Sequence, residues 1–296
     1  MKIILILLFF SSFGFSQNED YNHDYYWSQI DSTNAVIGAT NCYVRSEPNY
    51  KATILDSLQL GNEIFVEKST KNYLKLKGLN LSWVAVSFKD KLGQAQKGFV
   101  WKGFIALGFV KKGDITFLTT IDKIQQKTTS EHYKVDSYSI SVKVLDVKNT
   151  LLDQKTIEKN VTESSYFENK TIGGLGLKNI EDIYRVSFSG QACAIPSFYY
   201  YFGWNGKKLV ELPEKYQVGD AGAYYHTEDF IFPSEIGGKP NLIVKKVEDA
   251  TNADETGNND TYVFNVETHS ETYRWTGEKA VFLKKSKIKK TVRKEN

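Results

Sequence analysis

Two cysteines and four histidines are the side chains from which a nucleophile and its base would have to come. A thiol nucleophile would need one of His23, His132, His226 or His269 beside it to take its proton. Cys193 lies in Gln191-Ala192-Cys193-Ala194-Ile195-Pro196, and a cysteine between two alanines reads as a small buried hydrophobe or half of a disulfide. An enzyme built in the rear half would show a concave cluster of titratable groups around Cys193, His226, Asp229 or Glu228. Metal chemistry has as little to start from: no His-x-x-x-His, Cys-x-x-Cys or Asp-x-Asp-x-Asp-Gly pattern occurs. "EDATNADETGNND" at 248 to 260 gathers Glu248, Asp249, Asp254, Glu255 and Asp260, but without ordered spacing it reads as a hairpin loop. No catalytic residue, metal site or cofactor is therefore expected.

The elements around these residues begin with "MKIILILLFFSSFGFS", in which Lys2 precedes an apolar run from Ile3 to Phe10. This is the layout of a secretory signal peptide, and the run falls short of the roughly 20 apolar residues that span a bilayer. Export is expected, to the periplasm or beyond, with the mature chain starting near Gln17 and no later membrane-spanning segment. Cys42 and Cys193 would then meet an oxidising compartment, where spacing alone leaves a disulfide and two separate thiols both open. The remaining 280 or so of the 296 residues point to two domains. Aromatics reach 14 %, with 18 Tyr and 18 Phe against a single Met, and such usage favours strands. A net charge of +3 does not argue for nucleic acid.

Residues 17 to 35 read as a polar, aromatic leader that packs on the first domain or stays mobile. From Ala35 to Leu107 short apolar runs alternate with turn signals at Ser46-Glu47-Pro48-Asn49, Leu60-Gly61-Asn62, Lys77-Gly78 and Lys97-Gly98. Strands this dense suggest a small closed or half-closed barrel. The order Val44-Arg45-Ser46-x-Pro48, Ile54-Leu55, Gly61, Ile64-Phe65-Val66, Trp83-Val84-Ala85-Val86 and Gly98-Phe99-Val100 resembles the bacterial SH3-like (SH3b) domain over residues 36 to 110. Arg45 is expected to leave its strand with its charge in solvent, while Pro48 sets the turn. Two positions depart from the family: Glu47 stands where Gly is usual, and Phe99 where Trp is commoner. The resemblance implies a non-catalytic module that recognises peptidoglycan or an envelope protein. The groove candidates are the aromatics near the turns, Tyr43, Tyr50, Tyr73, Trp83 and Trp101, whose flat rings stack on sugars or prolines. Core packing is the competing reading for each, since within Trp83-Val84-Ala85-Val86 one face must line the barrel.

Past a Gly- and Lys-rich join at 108 to 114, longer strand-like segments come in pairs through residue 285. Phe202-Gly203-Trp204-Asn205-Gly206-Lys207 is echoed by Tyr273-Arg274-Trp275-Thr276-Gly277-Glu278, each a tight hairpin preceded by a similar strand, Ile183-Tyr184-Arg185-Val186 or Leu242-Ile243-Val244-Lys245. A duplicated meander follows. The fold class expected is all-β, a small SH3-like barrel and then a larger β-rich domain, either a sandwich or stacked meanders. Residues 286 to 296 read as a solvated basic tail. The function expected is exported, non-catalytic binding or scaffolding, with an envelope hydrolase as the alternative.

Overall fold

The computed structural model describes residues 22–253 and 262–295. The segment expected to be a signal peptide, the first residues of the leader and the Asp254, Glu255 and Asp260 part of the acidic loop lie outside the described residues. Among those described, the chain is all-β, with three antiparallel sheets and two short 3-10 turns, Asp24–Trp27 and Lys102–Phe104. No helix in them is long and apolar enough to cross a membrane.

The first sheet holds β1 (Thr33–Val36), β2 (Asn41–Arg45), β3 (Ile54–Gln59), β4 (Glu63–Leu76), β5 (Leu79–Lys89) and β6 (Ala95–Trp101), in the order β1-β4-β5-β6-β2-β3. Period-two alternation shows in β2, where Cys42 and Val44 are buried and Asn41 and Tyr43 exposed. β5 is buried almost end to end, as a strand covered on both faces must be. The turn from β3 to β4 uses Gly61 at φ +84°, a conformation glycine adopts without steric cost. β3 and β4 have three strands between them in the order and yet line one groove, so the sheet curls into a half-barrel. Arg45 is not free in solvent as expected. It reaches back over the Pro48 turn and donates to the Ala52 carbonyl at 2.7 Å, because the short loop leaves that carbonyl without a strand partner.

The second sheet holds β7 (Gly108–Lys112), β8 (Ile115–Thr128), β9 (Lys134–Asp146) and β10 (Leu151–Lys159), in the order β10-β9-β8-β7. One of its faces is apolar, with Phe117, Ile121, Ile140, Val142 and Val144. The other carries Thr120, Asp122, Ser141 and Lys143 among a few apolar groups.

The third sheet runs from β11 (Tyr166–Thr171), β12 (Asp182–Ser189) and β13 (Ser197–Trp204) through β14 (Leu209–Glu211), β15 (Lys215–Asp220), β16 (Tyr224–Ile231) and β17 (Leu242–Asn252). It ends with β18 (Tyr262–Trp275), β19 (Ala280–Lys285) and β20 (Lys289–Glu295). It stacks on the apolar face of the second sheet, where the Phe117 ring lies parallel to Tyr184 at 5.1 Å and edge-on to Trp204 at 6.4 Å. The expected tail is instead an edge strand: β20 pairs β18 from Thr268↔Lys289 to Tyr262↔Glu295. Glu248, with Arg293 bonded to both its oxygens, pins that strand down.

The hydrophobic core does not divide at the 108–114 join. One cluster runs from Val44, Val66 and Trp101 through Phe117 and Val142 to Tyr184 and Trp204, and a second lies under the loop before β12, around Ile180, Tyr201, Ile243 and Trp275. The leader packs into the first cluster with Tyr26 and Trp27 buried. It also finishes β5: where β6 ends at Trp83↔Trp101, His23 and Asp24 take over the edge of β5, exchanging hydrogen bonds with Asn80 and Ser82. The duplicated hairpins are real hairpins, β13–β14 and β18–β19, with Trp204↔Leu209 and Trp275↔Ala280 in the same register. Both close on glycines of positive φ, Gly206 and Gly277. Both also hold the loop before β12, since Trp204 accepts from the Glu181 amide and the Trp275 indole donates to Lys178. The cysteines are separate thiols, Cys42 buried and Cys193 exposed, which corrects the buried reading of Cys193. Its loop is held instead by the Ala194 amide on the Gly219 carbonyl. Burial pushes the Cys42 thiol up to about 12.

Candidate functional site

Where the half-barrel stays open, a groove of about 810 Å³ runs between β3, the start of β4 and the end of β5. Alternation builds it: Ile64 and Val66 turn into the barrel, so Phe65 turns out and is left exposed. Leu58 and Phe88, both largely buried, supply an apolar floor. The rim is charged, with Asp56 and Glu63 on one side and Lys89, Asp90 and Lys91 at the β5–β6 turn. The Gln94 amide, helped by the Gln96 side chain, holds the Asp90 carboxyl below its ordinary range, and Lys89 and Lys91 flank it with positive charge. Glu63 is joined by Lys111 from β7. β3 ends the strand order, which leaves one of its edges without a neighbouring strand. Such a groove offers an extended segment an apolar slot and the carbonyls of a sheet edge, since the Ser57 and Gln59 amides are taken by the Asp56 and Asn62 side chains.

The expected groove aromatics fall elsewhere. Trp83 and Trp101 are 4 % and 2 % exposed and lie in the core, so neither offers a ring face to a ligand at the surface. Their register explains it: the two are directly paired across β5 and β6, on the covered side of the sheet, and the Trp101 indole is spent on the Leu74 and Leu81 carbonyls. Tyr43, Tyr50 and Tyr73 are exposed but do not line the groove. Tyr43 lies beside Ser57 on the outer face, Tyr50 sits on the Pro48 turn under Lys51, and Tyr73 has its phenol raised above the ordinary value by desolvation and then by Asp24, which it meets. Phe65 and Phe88 are the aromatics that line the groove. The signal for Phe65 was the alternation in Ile64-Phe65-Val66, which puts an aromatic ring outside.

The cluster an enzyme would need takes a different form. His226 bonds Asp249 through Nδ1 at 2.6 Å, stacks on Tyr216 at 4.2 Å, and turns Nε2 toward Glu228 at 3.6 Å. Glu228 is buried and joined to Lys245 at 2.9 Å, and Lys245 reaches Glu271 at 3.3 Å. Burial works against the Lys245 charge, but the two carboxylates outweigh it and raise its pKa. This network ties β15 to β18 together by gathering three carboxylates around Lys245 and the His226 ring. The position a nucleophile would take beside Nε2 is filled by a carboxylate, and Cys193 is exposed in the 190–196 loop. Among the described residues, no group of three His, Cys, Asp or Glu side chains stands close enough to hold a metal ion.

No protein-family model matches this chain, and no curated protein or solved structure does either.

Proposed function

We propose that this is an exported, non-catalytic binding protein whose front half-barrel, similar to SH3-like (SH3b) modules, receives an extended peptide of the cell wall. The observation that carries the reading is the groove between β3, β4 and β5, with Phe65 exposed over an apolar floor and charge of both signs on its rim. A wall peptide suits it because such a chain is extended, carries both charged and small apolar side chains, and can donate its amides to the carbonyls along the edge of β3. The order of turns and strands from Val44 to Val100 supports the SH3-like assignment, and the signal-peptide layout of the first sixteen residues supports export. The cluster around His226 supports a non-catalytic reading of the rear sheet, because Nε2 faces the Glu228 carboxylate and not a hydroxyl or thiol.

The test is retention of the mature chain on insoluble peptidoglycan sacculi, with Phe65→Ala beside it. Retention that falls in the folded variant supports wall binding through the groove. Retention equal to that of a carrier protein overturns it and directs the search to an envelope protein.

A further inference from the structure

The polar face of the second sheet, turned toward the half-barrel, holds a second cavity that shares no residue with the groove. Asp122 is the extra residue of a β-bulge in β8, between Ile121 and Lys123, and a bulge re-aims the side chain it carries. Its two carboxylate oxygens each accept one hydroxyl, from Thr120 at 2.7 Å and from Ser141 at 2.5 Å. Lys143 lies beside it, its side chain only 10 % exposed, with Nζ 3.8 Å from Asp122 Oδ1. That amine donates to the Gly38 carbonyl at 2.7 Å. Gly38 must lack a side chain for the approach, since a Cβ there would come within 2.3 Å of Thr120 Cγ2 and 3.2 Å of the Ala106 amide. The cavity measures about 290 Å³, is walled by Gly103, Phe104 and Trp101, and opens beside Thr40 and Lys77.

Counting hydrogen bonds shows what the cavity lacks. An ammonium has three donors, and Lys143 uses one on Gly38, while 3.8 Å to Asp122 is an ion pair without a hydrogen bond. Each Asp122 oxygen keeps a lone pair after its hydroxyl. Buried charge left short of partners is costly, and burial, with Lys77 nearby, indeed lowers the Lys143 pKa against the pull of Asp122. Unspent donors and unspent acceptors therefore stand side by side, next to an apolar wall, in a space well above the roughly 10–15 Å³ that holds one water.

We propose that this cavity binds a small apolar α-amino acid as its zwitterion, with the carboxylate on Lys143, the ammonium on Asp122 and the side chain against Phe104. The two ligand charges lie on neighbouring carbons, which matches the short separation of the two protein charges. Charge-assisted hydrogen bonds at both ends make the selectivity steep.

The test is calorimetric titration of the mature chain with L-alanine, D-alanine and L-valine, with acetate and ethylamine as half-ligands. Saturable binding by an amino acid, weaker by about tenfold or more for either half-ligand, is the expected result. Asp122→Asn keeps the shape of the side chain and should lose binding by a similar factor while circular dichroism stays unchanged. Lys143→Met should lose it as well, provided it folds. Phe65→Ala should bind as the parent does, so a failure here is separate from any failure of the groove. No saturable binding at millimolar amino acid, acetate binding as tightly as alanine, or a folded Asp122→Asn chain that binds undiminished would each overturn the proposal and leave the pair as a stitch between sheets.

Discussion

The Tyr26 hydroxyl donates to the Val161 carbonyl at 2.7 Å, across 135 residues of chain. Its neighbour Trp27 donates from the indole to Ile105 at 3.1 Å. Two adjacent leader residues thus hold the end of the first sheet and the segment after the second, and the leader acts as a clasp. Tyr26→Phe removes one of two hydrogen bonds to the Val161 carbonyl, which still accepts from the Ser164 amide, and should cost about 0.5–1.5 kcal/mol. Trp27→Ala also opens a cavity and should cost about 3–5 kcal/mol. Urea midpoints of the two variants check both, and a midpoint for Trp27→Ala equal to the parent's would sink the clasp.

Phe65 and Trp83 make opposite predictions although both are aromatics of the first sheet. Phe65→Ala removes an exposed ring and should change stability by less than about 0.5 kcal/mol, with its effect confined to ligand retention. Trp83→Ala empties a core position and should cost about 3–5 kcal/mol. Thermal melts separate them.

Acid should loosen the clasp. Burial holds the His23 imidazole below its ordinary value of 6.5, and its Nδ1 accepts from the Asn80 amide. As pH falls through about 6.5 the unfolded chain takes up a proton that the folded chain does not, so stability drops from there down to the folded pKa and levels off below it. Melting temperature followed from pH 7.5 to 5 should decline, and His23→Asn, which keeps an acceptor without titrating, should flatten that limb. An unchanged slope in the variant would remove His23 as the cause.

Gly38 sets how closely the half-barrel approaches the second sheet. Gly38→Ala drives a methyl into Thr120 and toward the Ala106 backbone, and overpacking of this kind should cost about 1–3 kcal/mol. Pairing it with Thr120→Ser, which removes the methyl it strikes, should recover part of the loss. A double variant no better than the single one would place the strain elsewhere.

Much of the fold was legible because it is written in local rules. Alternation in Asn41–Arg45 and Glu63–Val66 sets which side chains face inward, Gly61 marks its turn by its freedom at positive φ, and the echo of Trp204-x-Gly206 in Trp275-x-Gly277 marks two hairpins of one register. The tail was misread because β20 is stabilised from outside itself: its lysines look solvated until Arg293 meets Glu248, 45 residues away. Arg45 likewise read as a surface charge, since nothing local says that a short loop will offer it the Ala52 carbonyl.

The candidate sites depended more on assembly. By itself the sequence determined an all-β chain, the inward and outward faces of its strands, its paired aromatic hairpins and the absence of any local catalytic or metal motif, because each of these follows from neighbours along the chain. Only the tertiary structure decided that Trp83 and Trp101 are covered, that Phe65 lines the open side of the half-barrel, and that a bulge at Asp122 faces a buried Lys143. Curling one sheet and stacking it on another selects which of two equivalent faces loses its water, and that choice is made by contacts between residues far apart in sequence.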